Sequence, residues 1–310
     1  MTLKSNSQIS KAIKELSEFD LFRGLCHEQS ASSSMPSNGV LVEVVNLCRA
    51  ILFPGYFGDA SVNRNNLSFH IGLNVEKLYQ LLGGQILSGL CFKMHILAHE
   101  TGDCGFIPMN RNDLDSLKEK ADSIALDFIE SLPTIRKQLA TDVDASFYGD
   151  PAADSKEVVI FCYPGFKAIS NYRIAHRLLE LDVPIIPRMI TEIAHSETGI
   201  DIHPGADIDS YFAIDHGTGV VIGATAIIGK NVKLYQGVTL GAKSFPMNEE
   251  GYPIKGIPRH PILKNNVIVY SNATILGRIT IGENATIGGN IWITEDVAPN
   301  ARIIQSKAKK

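Results

Sequence analysis

The chain has 310 residues, 45% of them hydrophobic and 20% charged, enough apolar material for about two cored domains and too much for global disorder. Its 29 basic and 33 acidic residues leave a net charge of −4, so it lacks the basic field of a general nucleic-acid binder. Segment 1–15 is polar without an apolar h-region, which argues against a secretory leader, and the longest uncharged apolar stretch, 78–92, is too short and glycine-rich to span a bilayer. Five sparse cysteines make no disulfide framework, and the expectation is a soluble cytoplasmic protein.

Up to about residue 200, apolar residues recur at helical spacing. Residues 39–53 (GVLVEVVNLCRAILF) read as a helix ended by Pro54-Gly55. A second is predicted over 75–98, interrupted at Gly83-Gly84 and at Gly89. A third opens at Asn112-Asp113-Leu114-Asp115, where acids suit the helix dipole, and runs through Ala121, Ile124, Ala125, Phe128 and Ile129 to Pro133. A fourth spans Phe166 to Leu181, and Ile185 to His195 continues as a short helix after Pro184. Residues 30–38 (SASSSMPSN) read as a linker. Cys91, His95, His99 and Cys104 have metal-ligand spacing, although a buried helix face using cysteine as a small hydrophobe explains them better. Tyr172, Arg173 and His176 read as packing or interface residues.

Beyond residue 200 the period changes to six. One aliphatic run is Ile202, Ile208, Ile214; a second, shifted by two residues, is Ile222, Ile228, Leu234, Leu240; a third is Leu263, Val269, Ile275, Ile281, Ile287, Ile293. A small or β-branched residue sits four places on in most hexads, as at Ala206, Thr218, Ala226, Val232, Val238, Val267, Ala273 and Ala285, and glycine often follows the aliphatic residue. This is the pattern of a three-sided coil: each hexad makes one short strand and one corner, the aliphatic residue points inward, and three hexads close a turn. Stacked turns bury what a single turn cannot, and the repeats counted suffice for about four. Residues 242–258 (AKSFPMNEEGYPIKGIP) break the period and read as a projecting loop, a usual place for function on a rigid scaffold. The predicted organisation is thus a helical region over 1–195, a coil over 196–305 and a tail over 306–310.

Three histidines fall in or beside the coil: His203, His216 and His260. His216, in Asp215-His216-Gly217-Thr218-Gly219, suits a general base, since imidazole accepts and returns a proton near neutral pH. A carboxylate on its other nitrogen would stabilise the imidazolium. Asp215 is adjacent in a strand and points to the opposite side of the pleat. Asp201 is fifteen residues earlier, about one rung below, which favours it. Arg259 offers a planar fork for the carboxylate of an amino acid.

These residues carry a family likeness. Asp201-Ile202-His203-Pro204, Asp215-His216-Gly217-Thr218-Gly219, Gln236-Gly237-Val238-Thr239-Leu240-Gly241, Arg259-His260-Pro261 and Ala273-Thr274-Ile275-Leu276-Gly277 resemble the serine O-acetyltransferases, hexapeptide-repeat enzymes of cysteine biosynthesis. Gly149-Asp150-Pro151-Ala152 and Tyr172-Arg173-Ile174-Ala175-His176 match as well, so the likeness covers about residues 145–304. It implies an α-helical N-terminal domain followed by a left-handed parallel β-helix, a trimer or a dimer of trimers, and transfer of acetyl from acetyl-CoA to L-serine without a metal. It implies His216 as base and Asp201 as its carboxylate, with Asp150, Asp215, Arg259 and His260 holding serine. Coenzyme A would run past Gly241, Ala242, Ser271 and Gly289, L-cysteine would inhibit from the serine site, and sites would form between neighbouring subunits.

The chain departs from that family at Ala224, where glutamate is common, and in the length of the projecting loop. It ends Ser306-Lys307-Ala308-Lys309-Lys310 rather than in isoleucine, so a stable complex with O-acetylserine sulfhydrylase is not expected. The rival readings are another acceptor, a zinc enzyme of the carbonic-anhydrase kind using His203, His216 and His260, and a non-enzymatic solenoid scaffold.

Overall fold

The computed structural model describes residues 3–18, 35–59, 61–100 and 111–305, with backbone alone for 3–6 and 95–100. Its helices are α1 (Leu3–Leu16), α2 (Asn38–Leu52), α3 (Leu67–Glu100), α4 (Arg111–Gly149), α5 (Lys156–Cys162), α6 (Pro164–Glu180) and α7 (Ile186–Thr198). No helix among the described residues is long and apolar enough to cross a membrane.

Two helices run further than their local sequence predicts. α3 starts eight residues earlier and passes unbroken through Gly83, Gly84 and Gly89. Glycine costs a helix about 1 kcal/mol, which the buried stripe of Leu78, Leu82, Ile86 and Leu90 outweighs. Gly89 has a packing reason, because a Cβ there would lie 3.0 Å from the Pro184 carbonyl oxygen. α4 likewise continues through Pro133, its inner face carried across the proline by Leu132, Ile135, Leu139 and Val143. α1, not among the expected helices, carries a short apolar stripe of Ile9, Ala12, Ile13 and Leu16, and α5 is too short to show a period; α5 is started by the Ser155 side chain, which accepts a hydrogen bond from the Val158 N–H. Cys91 is buried on α3, while the side chains of His95 and His99, all of Cys104, residues 30–34 of the expected linker and residues 306–310 lie outside the described residues.

From Asp201 the chain winds into a parallel coil with three flat faces. The first stacks β1 (Asp201–Ile202), β4 (Val221–Ile222), β7 (Thr239–Gly241), β10 (Thr274–Leu276) and β13 (Trp292–Ile293). The second stacks β2 (Asp207–Ile208), β5 (Ile227–Ile228), β8 (Ile262–Leu263) and β11 (Thr280–Ile281). The third stacks β3 (Ala213–Asp215), β6 (Lys233–Tyr235), β9 (Ile268–Val269), β12 (Thr286–Ile287) and β14 (Arg302–Ile303). Faces of five, four and five strands make nearly five turns rather than four. The six-residue aliphatic positions from Ile202 to Ile287 all point into the buried interior, and Ile293 is partly covered at the far end. Residues 242–258 leave the coil as expected: Lys243 to Gly256 are exposed, pinched by the backbone pairing of Met247 with Pro253.

At the corner between the second and third faces, Asn231, Asn266, Asn284 and Asn300 adopt left-handed backbone, which asparagine tolerates. Their side chains form a ladder in which each amide nitrogen donates to the next oxygen at 2.9 Å.

The helices cover the first turn of the coil. The buried Arg173 guanidinium pairs bidentately with buried Asp142 at 2.6 and 2.9 Å and also donates to the Ile208 and Asp209 carbonyls. Asp142 accepts the Phe212 N–H in turn, and the Tyr172 hydroxyl donates to the Ala206 carbonyl. His176 bonds the Pro204 carbonyl through Nδ1. Tyr172, Arg173 and His176 are therefore packing residues that satisfy the polar backbone at the coil's open end.

Candidate active site

The two-residue shift between the first and second aliphatic runs has a structural cause. β3 and β6 pair residue by residue up to Asp215 opposite Tyr235. The next rung contact joins the Gly237 N–H to the Thr218 carbonyl, so His216 and Gly217 are extra. Both lie in left-handed backbone, φ 56° and 92°, at the corner between the third and first faces. Such a conformation costs a non-glycine residue about 1–2 kcal/mol. It turns the His216 side chain out of the wall, 76% exposed. The insertion also corrects the repeat: exposed Thr218 is not the small inward residue of its hexad, and buried Val220 takes that place.

Acids gather beside the bulge. The bend at His216 breaks strand alternation, so Asp215 does not simply point away; its Oδ1 lies 3.9 Å from His216 Nε2, and its Oδ2 pairs with Lys233 Nζ at 2.8 Å. Asp150, just past the end of α4, accepts a 2.5 Å hydrogen bond from the Tyr163 hydroxyl and another from the Ala152 N–H. The Tyr163 bond, aided by Lys233 and His216, holds the Asp150 carboxyl below its ordinary range, and the same bond pushes Tyr163 up to about 12. Asp150 is thus a carboxylate at neutral pH.

Asp201 begins the strand next to the bulge: its N–H bonds the Val220 carbonyl, and Val220 bonds the Gly217 carbonyl. Its carboxylate takes a hydrogen bond from Arg188 at 3.1 Å, and Arg188 also pairs with Glu192. Glu192, His195 and Asp201 form the only grouping among the described residues with donor atoms close enough to hold a metal, all within 4.8 Å of one another. The Arg188 guanidinium already supplies a cation to both acids.

The opposite edge of the first face carries Arg259 and His260, where the projecting loop rejoins the coil. Thr225 organises them: its hydroxyl oxygen accepts the N–H groups of Arg259 and His260, and its own N–H donates to His260 Nδ1 at 3.1 Å. That bond assigns the ring proton to Nε2. Burial, with Arg259, His203 and Arg278 nearby, lowers His260 to about 4. Its ring lies where a Cβ of Gly223 would be, 2.0 Å from His260 Cδ2. Arg278 donates to the carbonyls of Thr225 and His260. Burial also lowers His203, whose Nδ1 accepts the Gly205 N–H. Arg259 Nε is buried with no hydrogen-bond partner, and its guanidinium lies 5.8 Å from the centre of the Phe245 ring in the projecting loop. Among the described residues no hydrogen bond or ion pair joins Arg259, His260 or His203 to His216. The three coil histidines therefore do not converge within one chain.

The residues expected beside coenzyme A also divide between the two edges. Ser271 and Gly289 follow Thr218 and Gln236 on successive rungs of the His216 corner, linked by the Asn272 N–H to the Gln236 carbonyl and the Asn290 N–H to the Ser271 carbonyl. A Cβ on Gly289 would sit 3.1 Å from the Ser271 carbonyl oxygen, so this part of the corner stays slim. Gly241 ends β7 and Ala242 opens the loop on the other edge. Tyr163, Lys233, Thr225, Arg188 and Arg278 escape a reading of the sequence. Thr225 and Lys233 have no signal beyond ordinary hexad positions, and Tyr163 only the proline that follows it.

A six-residue parallel coil bearing an exposed imidazole among carboxylates is the build of a hexapeptide-repeat acyltransferase. No family model matches the chain. The plasmid-encoded serine acetyltransferase of Synechococcus elongatus is 44% identical over 276 residues, 89% of this chain and 83% of that protein. Serine acetyltransferase 1 of Entamoeba histolytica, solved with L-cysteine, superposes with a TM-score of 0.69 at 34% identity, covering 89% of this chain and 92% of that one. A serine acetyltransferase solved with CoA gives 0.52 at 26% identity, covering 87% and 99%. The chain belongs to the serine acetyltransferase family. Its reaction is transfer of acetyl from acetyl-CoA to the hydroxyl of L-serine.

Proposed function

We propose that one catalytic site is completed by two copies of the chain, the His216 corner of one facing the Arg259 corner of the next around a trimer. The observation that carries this is the division of the site: a base and two acids at one edge of the first face, and an arginine whose Nε has no hydrogen-bond partner at the other. Asp150 and Asp215 hold the serine ammonium, while Arg259 and His260 hold its carboxylate, Arg259 through its planar fork and His260 through Nε2–H. Serine's hydroxyl then points at His216.

His216 takes the hydroxyl proton as the oxygen attacks the thioester carbon. The tetrahedral intermediate collapses with cleavage of the carbon–sulfur bond, and the imidazolium returns the proton to the departing thiolate. Atoms balance as O-acetylserine and CoA. Asp201 stabilises the imidazolium once its carboxylate swings from Arg188. A backbone N–H near Ala242 steadies the oxyanion, and CoA lies between the Gly241-Ala242 edge and the Ser271-Gly289 corner. L-cysteine, with sulfur in place of the serine oxygen, fits the same pocket and inhibits from it, in keeping with the cysteine-bound Entamoeba relative. The free thiols Cys48, Cys91 and Cys162 suit a reducing compartment, the cytoplasm.

The test is complementation. His216→Ala and Arg259→Ala are each inactive alone. Co-expressed in equal amounts in a trimer with sites between subunits, they restore about a quarter of wild-type turnover, because one interface in four joins an intact His216 to an intact Arg259. No recovery in mixed trimers would place both residues in one subunit's site.

A further inference from the structure

We propose that Lys233 is a positioning residue for the amino-acid pocket, holding Asp150 and Asp215 at the spacing that lets both reach one ammonium. The inference rests on the reading of those two acids given above.

Asp150 and Asp215 come from distant parts of the chain, the end of α4 and the end of β3. Two carboxylates share one ammonium only if their separation is fixed within a fraction of an ångström. Lys233 Nζ makes that tie: it donates to the Gly149 carbonyl at 2.8 Å, one residue before Asp150, and pairs with Asp215 Oδ2 at 2.8 Å. It also lies 4.6 Å from the centre of the Tyr235 ring, which stacks on Tyr270 at 5.0 Å. The ammonium is thus fixed from three sides, with its side chain only 16% exposed. Gly149 ends the 39-residue α4, where carbonyls lack intrahelical partners and a cation is favoured.

Lys233 has the same charge as the group the pocket binds, so it acts through the acids and does not grip substrate. Removing it loosens the Gly149–Asp150 turn and frees Asp215 to rotate. The consequence falls on serine binding, while the thioester side of the site, at the Ser271 and Gly241 positions, is untouched.

The experiment is steady-state kinetics of Lys233→Met with both substrates varied. The expected result is a serine KM raised about tenfold or more, an acetyl-CoA KM within about twofold of wild type, and a kcat at saturating serine within about threefold. Lys233→Arg, which keeps the charge, recovers part of the serine KM. An unchanged serine KM in Lys233→Met overturns the inference, as does an equal rise for both substrates, which marks a general structural loss. Asp215→Asn separates the two levels. If it raises serine KM and Lys233→Met does not, the Lys233 role fails alone. If neither moves it, the reading of the acid pocket fails. Should Lys233→Met not fold, Lys233→Gln, retaining a donor for one of the two oxygens, carries the same expectation and the same refutation.

Discussion

His216 and His260 stand at opposite edges of one face of the coil, and the chain treats them differently. His216 rides on a two-residue insertion in left-handed backbone, open to solvent. His260 is packed over Gly223, its Nδ1 engaged by Thr225, and pressed down to about 4 by burial and by Arg259, His203 and Arg278. The same ring is left open to solvent in one place and packed as a neutral, fixed group in the other. Local packing sets the task, not residue type.

The comparison is broken most severely at the exposed edge. His216→Ala is expected to lower turnover about 10²–10⁴-fold, equivalent to roughly 3–5 kcal/mol of barrier, with thermal stability preserved because the side chain packs on little. Turnover near wild type in that variant would transfer the base role elsewhere. At the buried edge the expected effect is on folding. The His260 ring protonates near 6.5 in the unfolded chain and near 4 in the native one, so between those values the unfolded state binds more protons. Stability is therefore full above about pH 6.5 and declines as pH falls toward 4, by on the order of 3 kcal/mol from this ring. Following the ring's carbon-bound protons by NMR reads it directly, and a midpoint at or above 6.5 would contradict the packing argument. The mildest break is Gly223→Ala. Its methyl group must displace the His260 ring, at a cost of about 1–3 kcal/mol in denaturant unfolding, together with a higher serine KM. An unaltered melting curve would mean the ring has room to move.

The interior of the coil was legible because a six-residue period leaves each inward position few choices, and Ile202 to Ile287 follow it. The shift between Ile214 and Ile222 was legible too, but its meaning was not: periodicity registers an insertion without saying which two residues are expelled. Helix ends failed where tertiary burial overrode local preference, at Gly83, Gly84, Gly89 and Pro133. His216, Asp201 and Arg259 follow from the chemistry of their side chains and their spacing, whereas Asp150, Asp215 and His260 enter as serine-holding residues only through the family motifs. Lys233 and Tyr163 were invisible because their roles lie in contacts: Lys233 meets a carbonyl 84 positions away in the chain, and Tyr163 a carboxylate 13 away. The roles of Thr225 and Arg278 depend on where a long loop returns.

The asparagine ladder has an evolutionary corollary. The two inner amides are both giver and receiver, and the ladder holds across circuits of 35, 18 and 16 residues, so a change of length is absorbed where the chain can take it up away from this corner. A complete circuit can also be gained or lost with the amides still meeting in phase. Change in this architecture should therefore accumulate in whole circuits and in projections from its edges.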